Sequence, residues 1–475
     1  MLPVELKKRM TDLLGEESQA FFDELENGHA VRSFRINENK ISASDFEALN
    51  IQIDRKKADF PEGSYYTEEE FPGHLPCHHA GMIYMQDPSA MATVHAVKIE
   101  KGAAVLDSCS APGGKTTQLS AMTGESGILV ANEYEAKRCR ILLGNVERMG
   151  CRNTVVVNLD TAVLAETYPN KFDVVLCDAP CSGEGMFRKN SLAVGEWSLA
   201  NVDMCASRQR EILTNVAKCV APSGKLIYST CTFSLEENEM NVKWFLDTHP
   251  DFELCDVEED LKRVTSDGIC LEGCGYDMKK TRRFYPHKAK GEGQFIAVLQ
   301  RSGEAAMVVD ERSSRKDKKK KTADRKPSRE EIELLAAAKQ FLDENLRKGF
   351  ENGVEYKLHA LNGKAYLKRD IALPPYGVFA SGVCVGEMNG KRFLPHHQLF
   401  SAFGTGFVRR VQLRYDDELT EAYLKGMEIA IDGKAESDGK IDGWAAVIVD
   451  GCALGGGKIS SGVCKNHYPK GLRNS

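Results

Sequence analysis

A chain of 475 residues, 42% hydrophobic and 28% charged, exceeds what one core can organise and predicts roughly three or four domains of about 100–200 residues each. No apolar run reaches the ~18–20 residues of a membrane span, and Met1-Leu2-Pro3-Val4-Glu5-Leu6-Lys7-Lys8 turns polar too early for a secretory leader, so a cytoplasmic protein with no membrane contact is expected. A net charge of −6 argues against indiscriminate nucleic-acid binding, and the fifteen cysteines read as reduced thiols; none has the two-residue spacing of a zinc knuckle, so no metal is expected.

Residues 1 to about 30 carry helical apolar spacing in Leu2, Leu6, Met10, Leu13, Phe21, Phe22 and Leu25. Val31-Arg32-Ser33-Phe34-Arg35-Ile36-Asn37 then reads as a half-exposed strand, with Arg32 and Arg35 either solvated or facing phosphate. A small N-terminal α+β module over 1–80 follows. From Lys101 the pattern alternates: strands at Ala103–Asp107, Gly127–Asn132, Asn153–Asn158, Phe172–Cys177 and Lys225–Ser229, with helices at Thr116–Met122, Glu135–Met149 and Ser207–Val220. That is a doubly wound α/β domain over 81–302, with ligands beyond the carboxyl ends of its strands and Gly293–Gln300 closing an edge. The linker 303–330 holds a basic run from Arg312 to Arg329. A helix at Arg329–Leu346 and turns at Asn362-Gly363 and Asn389-Gly390 predict α+β content over 331–405, and 406–475 reads as a final β-rich module.

Asp107-Ser108-Cys109-Ser110-Ala111-Pro112-Gly113-Gly114-Lys115-Thr116 forms a strand-to-helix turn whose glycines admit a ligand close to the backbone. A phosphate loop fails here because Cys109 stands where its first glycine is needed, and no dinucleotide fingerprint is present. Glu133, at the second strand tip, can accept from both ribose hydroxyls, and Asp160, past the third, from an adenine amine. S-adenosyl-L-methionine fits that set, with Cys109, Ser110, Ala111, Pro112, Gly113, Gly114, Lys115, Glu133, Asp160 and Asp178 as its candidate contacts.

Two further strand tips carry thiols: Asp178-Ala179-Pro180-Cys181-Ser182-Gly183 and Tyr228-Ser229-Thr230-Cys231-Thr232. With the glycine loop, Gln86-Asp87-Pro88-Ser89 and Gly291-Glu292-Gly293-Gln294-Phe295, they closely resemble the Sun/Fmu family of RNA cytosine-C5 methyltransferases over about 80–302. Arg392-Phe393-Leu394-Pro395 and Asn466-His467-Tyr468-Pro469-Lys470-Gly471 resemble its bacterial RsmF subgroup, which acts on 16S ribosomal RNA. The resemblance implies a class I, Rossmann-like S-adenosylmethionine-dependent core, a PUA-like RNA-binding C-terminus, and 16S rRNA or the small ribosomal subunit as partner of a monomer.

It also implies roles. C5 of cytosine is too poor a nucleophile to take a methyl group until a thiolate adds to C6. In this family that thiolate is the Thr-Cys cysteine, here Cys231, while Cys181 assists release of the product. Ser234 and Glu237 read as a capping box, which would place Cys231 before a helix N-terminus that favours its thiolate. Asp178 is expected beside N3 of the base, donating if protonated or otherwise hydrogen-bonding, and Arg188 and Lys189 either meet phosphates or are solvated. A transfer-RNA substrate and a non-catalytic ribosome-assembly protein are the competing readings.

Overall fold

The computed structural model describes residues 2–49, 51–303 and 327–474; the basic run from Arg312 to Lys326 lies outside the described residues. Five strands, Ala104–Asp107, Ile128–Asn132, Thr154–Val157, Phe172–Asp178 and Val220–Thr230, run parallel through the centre of a ten-stranded sheet. Thr154-Val155-Val156-Val157 is buried on both faces, as a sheet covered by helices requires. Helices Gly114–Thr123, Ala136–Arg148, Thr161–Thr167 and Leu199–Ala217 provide that cover. The fourth of these starts well before Ser207, because Ser198 caps it by accepting from the Asn201 amide.

In space the parallel strands stand in the order fifth, fourth, first, second, third. The order reverses between the first and fourth strands. A crevice opens at such a reversal, and the loops 108–113 and 179–183 line it.

Gln294–Arg301 is not the closing edge that the sequence suggests. It lies between Val220–Thr230 and a further strand, Arg282–Phe284, pairing antiparallel with both. Two arginines in three residues hide that outer strand from periodicity. They enter the sheet because Arg283 pairs with Glu239, their side chains 1% and 0% exposed, and Arg282 pairs with Asp267.

The flanking modules are less separate than their sequence boundaries imply. Helices Val4–Leu14 and Ser18–Asn27 pack Leu6, Met10, Phe21 and Phe22 against Phe187, Trp197, Phe233 and Tyr285 of the α/β domain. Ile83–Met85, beyond residue 80, pairs with Ser33–Ile36 in a four-stranded N-terminal sheet. Downstream, helix Arg329–Asn345 begins with a full Ser328–Glu331 capping box. Asn362 and Gly363, both at positive φ, close the hairpin of Lys357–Leu361 with Lys364–Lys368. Val378–Ser381 leaves this segment and adds antiparallel to Thr154–Val157, so residues from the expected 331–405 module extend the central sheet.

A six-stranded C-terminal sheet contains Arg409–Leu413, Gly443–Val449, Cys452–Ser460 and Val463–Asn466. Its Val411, Tyr423, Val447 and Leu454 share one core with Phe34, Ile36, Phe46 and Tyr65 of the N-terminal module. His79 Nδ1 and the Tyr468 hydroxyl meet across this junction at 2.8 Å. Among the described residues no helix is long and apolar enough to cross a membrane. Because Phe34 is fully buried where the two ends of the chain meet, Phe34→Ala should cost about 3–5 kcal/mol, read as a lower urea midpoint.

Candidate active site

The glycine loop takes its shape from Gly113, whose φ of 112° few other residues adopt, and from anchors on both sides. From within the domain, the Ser110 hydroxyl donates to the Asp107 carbonyl at 2.8 Å, and Asn145 Nδ2 donates to the Pro112 carbonyl at 2.9 Å. From the N-terminal module, Arg35 donates to the Gly114 carbonyl and the Thr117 hydroxyl, each at 2.7 Å, and to Gln86 at 2.9 Å. Arg35 is therefore a buried brace, neither solvated nor free for phosphate. Cys109 lies beside Cys177, and their hydrogen bond together with burial pushes the Cys109 thiol up.

Glu133 sits 4% exposed at the tip of the second strand and accepts from the Ala111 amide at 3.3 Å and the Glu135 amide at 2.9 Å. Arg138 reaches over it, 3.6 Å from one carboxylate oxygen, and donates to the Ala111 carbonyl at 2.9 Å. Asp160 is exposed and caps the helix Thr161–Thr167 through the Ala162 amide at 2.8 Å. Asp107, not singled out from sequence, is buried with Oδ2 accepting from Thr116 at 2.7 Å while Oδ1 has no partner. An orphaned acceptor beneath a glycine loop, with Glu133 one strand away, is an acceptor set that fits a cationic nucleoside; S-adenosylmethionine is one. Only the strand-tip position of Asp107 could have flagged it.

Asp178 and Lys115 meet in the crevice, Nζ to Oδ2 at 2.8 Å. The other Asp178 oxygen accepts from Ser229 at 2.7 Å and Gln294 at 3.0 Å. Three donors, one of them an ammonium, surround Asp178 as an acceptor. Burial works against the Lys115 ammonium, yet Asp178 beside it carries its pKa above the ordinary value.

The two thiols converge: Cys181 Sγ and Cys231 Sγ lie 3.2 Å apart. Their strands pair in parallel with Asp178 opposite Ser229, so both loops leave the sheet at one level. The bond to Cys231 and burial push the Cys181 thiol well up. The capping box expected after Cys231 does not form. The Ser234 hydroxyl donates to Glu184 at 2.7 Å, and Glu237 accepts from the Ser182 amide at 3.0 Å and Gln209 at 2.8 Å, so the helix starts only at Glu239. Buried partners across the site outcompete the local turn.

Arg188 is likewise not at the surface. Its side chain is 1% exposed and paired with Glu292 at 2.8 Å and with Glu24, while Lys189 pairs with Asp87 at 3.1 Å. Among the described residues no cluster of His, Cys, Asp or Glu could hold a metal ion.

The fold and this site define a class I, Rossmann-like S-adenosylmethionine-dependent methyltransferase core. Residues 94–300 match the family described as 16S rRNA methyltransferase RsmB/F, residues 2–88 the N-terminal domain of 16S rRNA methyltransferase RsmF, and residues 410–474 the methyltransferase RsmF PUA domain. The chain belongs to this RsmB/F family. Relatives named ribosomal RNA small subunit methyltransferase F include that of Serratia proteamaculans, 35% identical over 57% of each chain, and that of Escherichia coli K12, 37% identical over 46% of this chain and 48% of the relative. The chain thus spans about half the length of the curated relatives it matches. A methyltransferase homolog from Pyrococcus horikoshii is 28% identical with a TM-score of 0.54, covering 62% of this chain and 93% of its own. NSun6 from Pyrococcus horikoshii with SFG shares the fold at 23% identity and a TM-score of 0.53, over 64% of this chain and 99% of its own.

Burial holds the Asp107 and Glu237 protons to about 7, whereas carboxyls of unfolded chains ionise near 4. The folded chain therefore binds more protons across that window, and these groups favour folding below about 4 and lose that contribution as pH rises towards about 7. The urea midpoint of the natural chain should fall relative to that of Glu237→Gln between about pH 5 and about pH 7.5.

Proposed function

We propose that this chain transfers a methyl group from S-adenosyl-L-methionine to C5 of cytidine in RNA, with 16S ribosomal RNA as substrate, acting as a cytoplasmic monomer. The observation that carries this reading is the 3.2 Å approach of Cys181 to Cys231 beside the Lys115–Asp178 pair. One thiol would be enough for a nucleophile. Two in contact answer a reaction that must both form and release a bond to sulfur.

The target base must leave its stack so that a thiol can reach C6 while C5 faces the glycine loop. Cys231 adds to C6, and electron density moves onto C5 and into the ring. The Lys115 ammonium lies where that charge grows, and Asp178, as acceptor, can take the exocyclic amine of cytosine. When bound, S-adenosylmethionine supplies an electrophilic methyl; Cys109 to Lys115, Glu133, Asp107 and Asp160 would hold it. Loss of the C5 proton to water restores the double bond and expels the Cys231 sulfur, which the Cys181 thiol meets at hydrogen-bond range.

RNA as partner is supported by the PUA-domain match and by a cleft of about 740 Å³ in which Arg32, Tyr66, Lys288 and Lys290 stand beside Glu24 and Glu68, the two lysines a few residues upstream of Gln294 at the site. Cations and an aromatic face suit an unstacked strand. The ribosomal substrate is supported by the names of the relatives, and a reducing cytoplasm by fifteen free cysteines.

Bisulfite sequencing of ribosomal and transfer RNA from a strain lacking the protein should show one or more 16S cytidines losing methylation; a loss confined to transfer RNA would move the substrate. Cys231→Ala should abolish transfer, and Cys181→Ala should accumulate a covalent protein–RNA adduct on denaturing gels. In calorimetry, Glu133→Ala should weaken S-adenosylmethionine binding by roughly 10-fold or more, as expected when a charge-assisted hydrogen-bond acceptor is removed.

A further inference from the structure

We propose that Glu237 is a positioning residue for this reaction: its carboxylate ties the two cysteine loops together and sets how Cys181 approaches Cys231. The inference rests on the methyl-transfer reading above and adds to it a residue that touches neither base nor cofactor.

Both sides of the Cys181 loop and the residue after Cys231 are linked through this one group, Ser182 directly, Pro180 by way of Gln209 and Thr232 by way of Ser182. The Ser182 amide and hydroxyl both donate to Glu237, at 3.0 and 2.5 Å, gripping the loop just after Cys181. Gln209 Nε2 donates to Glu237 at 2.8 Å and to the Pro180 carbonyl at 3.0 Å, gripping the same loop just before Cys181. The Ser182 hydroxyl also meets the Thr232 hydroxyl at 2.8 Å, which carries the hold across to the residue after Cys231. Tyr228 anchors the assembly from the strand beneath, donating to the Glu237 carbonyl at 2.5 Å and to Gln209 Oε1 at 3.0 Å.

Each of these side chains is at most 6% exposed, so water cannot stand in for a lost partner. A loop held at Pro180 and Ser182 has little freedom to move Cys181. Were Glu237 removed, the Cys231 loop would keep the Gly185 amide on the Cys231 carbonyl at 2.9 Å and Asn238 Nδ2 on the Thr232 carbonyl at 2.9 Å, whereas the Cys181 loop would lose two of its donors' only shared acceptor. The release step should suffer more than the attack.

The test uses the full chain with S-adenosylmethionine and a 16S rRNA fragment, counting methylated product and, on denaturing gels, covalent adduct. Glu237→Gln and Ser182→Ala should each raise the ratio of adduct to product by about 10-fold or more, as expected for a displacement of reacting groups on the order of 1 Å, with S-adenosylmethionine affinity unchanged. A purely structural role would lower both quantities together. If Glu237→Gln fails to fold by circular dichroism, Ser182→Ala decides alone, since it keeps the amide bond to Glu237. An unchanged ratio, in a natural chain that does form adduct and product, overturns this inference by itself. Failure of the natural chain to form either overturns the reading on which it rests.

Discussion

The geometry of the candidate site depends on one parallel pairing, that of Phe172–Asp178 with Val220–Thr230. The register places Asp178 opposite Ser229, so two loops that are fifty residues apart in the chain begin at the same height. A slip of one residue would turn Asp178 to the other face of the sheet and carry Cys181 away with it. The 3.2 Å contact between the thiols follows from that register together with the hold on Pro180 and Ser182.

Around this pairing several buried charges stand in matched pairs. Arg283 lies on Glu239, Arg188 on Glu292, and Lys115 on Asp178, in each case where an unpaired charge would be expensive. Arg35 has no carboxylate and uses carbonyls and hydroxyls instead, and burial brings its pKa down to about 10. Three of these four cations brace loops at the crevice. Arg35 and Arg188, read as possible phosphate contacts, are thereby internal struts, and the N-terminal module becomes part of the framework of the candidate site.

Much of the site was legible because the local chemistry is unusual wherever it matters. Two glycines after a strand, an acid and a thiol about a proline, and a second thiol at the next strand tip need no tertiary information to stand out. Asp107, Gln209 and Gln294 were not legible, since a strand-end acid and two glutamines look like any others until their partners are placed. Glu237 was read in the wrong role. A Ser-x-x-Glu spacing describes a cap in isolation, but Ser182 and Glu184, far away in sequence, claim those side chains in the folded chain.

By itself the sequence determined the alternation of strand and helix, the doubly wound core, the glycine loop and the two thiols at neighbouring strand tips, because each is written in residues near one another. Only the tertiary structure decided that Gln294–Arg301 lies inside the sheet, that Val378–Ser381 extends it, and that Phe34 and Val411 share a core. It alone also decided which cations are buried. These are contacts between distant segments, and what selects them is the cost of leaving an apolar face or a charged group without a partner, a quantity no local pattern contains.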